Sequence, residues 1–192
     1  MSIQLPKIPA PKGILLEEAI KLRRSKRANY KPKITLEELS RLLWSAQGIT
    51  ADKKRAVPSA GMTFPLELYV IAKNVETLKQ GLYRYLPETH SIETIKEADY
   101  TPALEKAKGK YAFVTDAPVC ILIAADLKRT TQRFGERGIM YVHMEAGSAY
   151  QNISLEAVNL GLGTVVVGAF DVEAIKHVIG PELEPLCILP VG

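Results

Sequence analysis

Arg23, Arg24, Ser25 and Arg27 fall within five consecutive positions, directly after the amphipathic pattern that runs from Ile14 to Leu22. Arginine forks and a serine hydroxyl suit the oxygens of a phosphate, so the cluster reads as an anion site. The same cations suit the last carbonyls of a helix and the negative end of its dipole. The residue types support the two readings equally. A second stretch, Pro58-Ser59-Ala60-Gly61, is built of small residues that leave backbone N–H groups exposed, and it leads into an expected strand from Leu66 to Ala72. A bare turn ahead of a core strand suits a loop against which a flat ligand packs. A third, Gly161-Leu162-Gly163, is followed by the β-branched run Thr164 to Val167 and closed by Gly168. It lacks the Gly-x-Gly-x-x-Gly spacing and ends a helix instead of opening one, so a Rossmann dinucleotide turn is not expected there.

Other chemistries find little support. His90, His143 and His177 show no metal-ligand spacing with one another or with the cysteines, and no metal is predicted. Cys120 and Cys187 each sit in an apolar run and read as buried small hydrophobes. The net charge of +4 is mild, and Lys53, Lys54 and Arg55 read as solvated surface, too small a footprint for nucleic acid. No apolar run approaches the roughly 20 residues of a membrane span. The N-terminal residues show no secretory pattern, so the expectation is a soluble, cytoplasmic protein.

The elements that must position these stretches centre on Ile139 to Phe170, a long and almost uncharged helical pattern. Val142, Ala146, Ala149, Ile153, Ala157 and Leu160 share one face, and Met144, Leu155 and Val158 widen it. A helix apolar on most of its circumference must be covered on most sides, by its own domain or by a second copy; the balance favours a dimer core. Gly161 is expected to stop it, and Thr164 to Val167 to form a buried strand. The capping box Thr35-Leu36-Glu37-Glu38 opens a helix that Gly48 closes. A hairpin is expected over Gly81 to Lys96, a short helix from Thr101, a buried strand from Val119 to Ala125, and a helix capped by Asp171. The first eleven residues, with three prolines, are expected to run irregularly over the surface or across a partner. Strands and helices alternate without βαβ order, which predicts one α+β domain over residues 1–192, a mostly antiparallel sheet flanked by helices.

Four segments in this order resemble the FMN-dependent nitroreductase-like flavoproteins: RRSKR at Arg23 to Arg27, PSAG at Pro58 to Gly61, EAGSAYQN at Glu145 to Asn152, and GLGTVVVGAFD at Gly161 to Asp171. GLYRY and the ending LPVG are most similar to the SagB-type branch, which is related to azoline oxidases. The resemblance implies a homodimer with FMN at the subunit interface and long helices at the dimer core. It implies that Arg23, Arg24, Ser25 and Arg27 hold the phosphate and ribityl chain, which settles the even split in favour of an anion site. Pro58, Ser59, Ala60, Gly61 and Met62 would come from the other subunit. Val167, Gly168 and Ala169 would direct backbone N–H groups at the ring near N5. The implied reaction passes a hydride from NADH or NADPH through FMN to an electron acceptor such as a nitroaromatic or a quinone. No side chain is required as acid or base, and no catalytic residue is assigned. The alternatives are a SagB-like flavin oxidase of peptide azolines and a flavin-binding module without turnover. Two departures stand out: no cation follows at the C-terminus, so that either Arg24 substitutes or binding is weaker, and Met62 and Phe64 replace polar amides after the turn.

Overall fold

Two runs of seven residues, Leu66–Ala72 (β2) and Val119–Ala125 (β5), are buried on both faces and pair along their whole length. A computed structural model of the chain describes residues 1–10 and 13–192. In it, β2 and β5 form the middle of a six-stranded antiparallel sheet. Ser2–Gln4 (β1), Gly81–Leu86 (β3), Ser91–Lys96 (β4) and Glu184–Val191 (β6) complete it, in the order β1-β4-β3-β2-β5-β6. The two-residue period of a strand sorts β5 between two cores. Val119, Ile121, Ile123 and Ala125 face one cluster, and Cys120, Leu122 and Ala124 face the other. Each fully buried branched side chain contributes about 1.5–3 kcal/mol through removal from water.

The first cluster packs beneath two helices, Leu36–Gln47 (α2) and Arg137–Asn159 (α5). The second packs beneath Thr101–Ala107 (α3) and Val172–Ile179 (α6). Local signals set these boundaries. Thr35 and Glu38 form the reciprocal capping box at 3.0 and 2.8 Å, and the Asp171 carboxylate accepts from the Ala174 N–H at 3.0 Å. At the end of α5, Gly161 takes φ +66°, its N–H donates to Val158, and the Leu162 N–H reaches the Ala157 carbonyl at 2.8 Å. That six-to-one bond satisfies a carbonyl the helix would otherwise leave open. Cys120 and Cys187 are buried and unpaired, and burial pushes both thiols up to about 12. Among the described residues no helix is long and apolar enough to cross a membrane.

Two expectations are corrected. Thr164 to Val167 is not a strand but meets the last strand only through isolated bridges, Thr164 to Val191 and Val167 to Ile188. Gly163 and Gly192 exchange backbone bonds, as do Val167 and Ile188, but Pro190 lies opposite the residue between them and has no N–H to give. The Thr164 hydroxyl donates to the Pro190 carbonyl at 2.9 Å instead. The N-terminus is not irregular throughout, because β1 pairs with β4 and Leu5 is buried; Pro11 lies outside the described residues. His90 fastens this segment: its ring nitrogens meet Tyr85 Oη, Ser40 Oγ and the Pro6 carbonyl at 2.8 to 3.0 Å. The amphipathic segment ahead of the arginines forms Leu16–Leu22 (α1), which buries Ala19 and leaves Leu16, Ile20 and Leu22 exposed.

Candidate functional site

The arginine cluster begins where α1 ends, and the local chemistry divides it. Arg24 folds back, its guanidinium donating to the carbonyls of Lys21 and Arg23 at 2.8 and 2.7 Å. In this chain it caps the end of α1, and it is not among the residues that line the neighbouring cavity. Arg23, Ser25 and Arg27 do line that cavity, which has a volume of about 310 Å³. The parallel bridge between Ser25 and Thr164, and the Lys26 N–H to Thr164 carbonyl bond at 3.0 Å, hold the segment against the chain that follows α5. Tyr150, Gln151, Ser154, Thr164, Val165 and Val166 supply the remaining wall. No carboxylate lines it, so two guanidiniums face an otherwise neutral surface. Tyr150 and Gln151 were legible only as part of the EAGSAYQN segment, and Ser154, two residues beyond it, was not singled out; the one- and four-residue spacing from Tyr150 puts the three on one side of α5.

The three residues expected against the ring, 167–169, differ in what they can offer. Val167 is buried, and its N–H donates to the Ile188 carbonyl at 2.9 Å, so it has none to offer a ligand. Gly168 and Ala169 are exposed, and neither N–H meets a backbone acceptor among the described residues. A Cβ built on Gly168 meets nothing within 4 Å, so the backbone there is open to a flat partner.

The Pro58–Met62 turn lies elsewhere and lines none of the arginine cavity. It is rigidly built. The Ser59 hydroxyl accepts from the Phe64 N–H at 2.9 Å, Thr63 Oγ1 meets Thr130 Oγ1 at 2.8 Å, and Arg133 donates to the Gly61 carbonyl at 2.9 Å. Thr130 and Arg133 belong to Leu127–Phe134 (α4), which the buried Glu67 fastens to the sheet through Arg129 at 2.6 Å and Arg84 at 2.9 Å. Gly61 has φ +59°, and a Cβ there would come within 2.8 Å of the Arg133 guanidinium. Met62 and Phe64 also have positive φ, +56° and +45°. That conformation costs a residue with a Cβ about 1–2 kcal/mol, less for asparagine. Met62 is 55% exposed and has little packing to lose. Met62→Asn is therefore expected to stabilise the protein by about 0.5–1 kcal/mol, raising Tm by a few degrees for a chain of this size. An unchanged or lower Tm on thermal unfolding contradicts the strain.

The nitroreductase family model matches residues 20–192. A Methanocaldococcus jannaschii protein named "Putative nitroreductase MJ1384" is 44% identical over 193 residues, covering 100% of this chain and 96% of the relative. The Microcin B17-processing protein McbC of Escherichia coli is 25% identical over 139 residues, 69% of this chain and 51% of McbC. Among solved structures, a "putative nitroreductase" from Ralstonia eutropha JMP134 superposes on the whole chain with a TM-score of 0.84 at 26% identity, over 88% of its own length. Another so described, from Desulfovibrio desulfuricans and in complex with FMN, covers 94% of this chain and 87% of its own at a TM-score of 0.61; at 21% identity this is a likeness of fold.

Proposed function

This chain belongs to the nitroreductase family of oxidoreductases, and from that premise we propose that it is an FMN-dependent enzyme passing a hydride from NADH or NADPH to a small electron acceptor such as a nitroaromatic or a quinone. The observation that carries the proposal is the cavity lined by Arg23, Ser25 and Arg27 with no carboxylate in its wall. Two guanidinium forks and a hydroxyl fit a phosphate and the start of a polyol chain. Arg27 would extend toward the N1 and O2 edge of the ring, where a positive charge favours the reduced state. The unpaired N–H groups of Gly168 and Ala169 would face N5. FMN, when bound, supplies hydride acceptance and donation at N5. The chain's own residues bind it, orient it and keep one face open.

The Pro58–Met62 turn would complete the site from a second copy. In support, the turn and the arginine cavity do not meet within one chain, and among the described residues the large apolar side chains of α1 are left open: Leu16 is 61% exposed and Ile20 55%. Met140 and Met144 of α5 are also exposed. A homodimer would cover both helices. The whole chain is then one FMN-binding domain working in pairs, in the cytoplasm.

One open face serving donor and acceptor in turn predicts ping-pong kinetics. Initial rates with NADPH or NADH against a quinone are expected to give parallel double-reciprocal lines. Intersecting lines would require both substrates bound together and contradict a shared face. The similarity to McbC supports a second reading, SagB-like oxidation of a peptide azoline. It predicts flavin reduction by the peptide and none by the nicotinamide. A flavin-binding module without turnover would be reduced by neither.

A further inference from the structure

Glu145 takes no part in the site as built above, yet it is buried with less compensation than its surroundings would suggest. It lies on α5 at 3% exposure, and its Oε1 has no hydrogen-bond partner among the described residues. At the end of α2, Gln47 is 1% exposed, and neither its amide nitrogen nor its amide oxygen has a hydrogen-bond partner among the described residues. Ser59 of the turn is the third group at this point. Its Oγ accepts from the Phe64 N–H, which leaves its own proton free to turn to Glu145. Orphaned buried polar atoms are few in native proteins and call for an explanation. Here they adjoin Ser59, a residue of the turn proposed to carry the cofactor.

The surroundings leave Glu145 free to change charge. Burial pushes its carboxyl up to about 7, against the opposing pull of Ser59, Gln47 and Arg55. Arg55, from the loop before the turn, is already engaged by Glu88 at 2.7 Å and the Gln47 carbonyl at 3.1 Å. From α4, Arg129 is turned to Glu67 and Asp126, and Arg133 to Gly61. The sheet beneath α5 presents Leu66, Leu68, Ile123 and Ala125 to the shared core. Arg55 is thus the charged group that acts on Glu145.

We propose that Glu145 is a positioning residue that holds a proton behind the Pro58–Met62 turn and couples it, through Ser59 and Gln47, to the charge of the cofactor lying on that turn. The inference rests on the FMN reading given above. When neutral, the carboxyl donates to Gln47 Oε1 or Ser59 Oγ; when ionised, it accepts from the Gln47 amide and the Ser59 hydroxyl. Two electrons added to the ring raise the cost of a second negative charge nearby, so reduction favours the neutral carboxyl, which takes one proton from solvent. Linkage is reciprocal: a proton on Glu145 eases reduction by the same factor.

The test is the reduction potential of the FMN-reconstituted protein, followed spectroscopically from pH 5.5 to 9, for wild type and Glu145→Gln. The uncharged isostere is expected to match wild type at the acid end. Above neutrality the wild-type potential should fall below the variant's, by about 30 mV for each tenfold by which reduction tightens proton binding. Gln47→Leu keeps the carboxyl but removes one partner of its ionised form, and should move the divergence to higher pH. Potentials that differ equally at every pH, or not at all, overturn the proposal, as does a divergence unmoved by Gln47→Leu. A merely structural Glu145 would shift the potential without changing its pH dependence. Wild-type protein that takes up no FMN overturns the cofactor reading and this inference with it; parallel potentials in flavin-bound protein overturn the inference alone.

Discussion

Arg23→Ala combined with Arg27→Ala is expected to yield a folded protein that has lost most of its FMN. The two guanidiniums line the cavity, and neither is paired there with a carboxylate, so removing them leaves no buried charge behind. Their loss therefore touches binding and spares the fold. A hydrogen bond to a charged group contributes about 1.5–3 kcal/mol, so the pair accounts for about 3 kcal/mol or more of phosphate binding. The dissociation constant of FMN should rise by about a hundredfold at least. Fluorescence titration of the apo-protein reads this directly, with circular dichroism as the check on folding. Arg24→Ala is the internal control, since its guanidinium turns to the carbonyls of Lys21 and Arg23 and leaves the cavity alone. If the double variant keeps full affinity, the cavity is not the phosphate site. If Arg24→Ala loses as much as the double variant, the division of roles within the cluster is wrong.

Leu16→Asp combined with Ile20→Asp should break the dimer and empty the site together. The two positions are four apart on α1 and are 61% and 55% exposed within one chain, so the substitutions cost the isolated protomer little. In a dimer that covers α1, each would forfeit about 1.5–3 kcal/mol of apolar burial and place a carboxylate in the contact. The dimer dissociation constant should rise by about a thousandfold or more. Because the turn is proposed to reach the cofactor from the other copy, FMN affinity should fall with it. Light scattering and FMN content of the same sample test the two halves. A monomer that holds FMN at wild-type affinity would show that one chain builds the whole site; an undisturbed dimer would show that α1 is not at the interface.

Sequence legibility followed the range of the interaction concerned. The Thr35 capping box, the Asp171 cap, the Gly161 stop and the β3–β4 hairpin are local devices, written within four or five residues, and they appear where the pattern put them. What the sequence left unread is non-local. Thr164 to Val167 carries strand residues, but its partner strand offers Pro190, and only pairing could reveal the missing N–H. α1 has an apolar stripe, and composition could not say that the stripe would face outward. The arginine cluster drew attention by its residue types, while the choice of Arg24 for the helix end depends on where its guanidinium can reach. Glu145 was visible as one of few charges in a long apolar helix. Its meeting with Gln47 and Ser59 depends on how α2 and the turn pack against α5, which no local pattern encodes.

The account stands or falls on a bound flavin that a nicotinamide can reduce. The visible absorption spectrum of the purified protein, reconstituted with FMN and taken before and after anaerobic addition of NADH or NADPH, tests this most directly. The expected result is a flavin band that bleaches with one of the two donors and returns when a quinone or a nitroaromatic is added. A protein that stays colourless after incubation with FMN, or a bound flavin that neither donor bleaches, would contradict it.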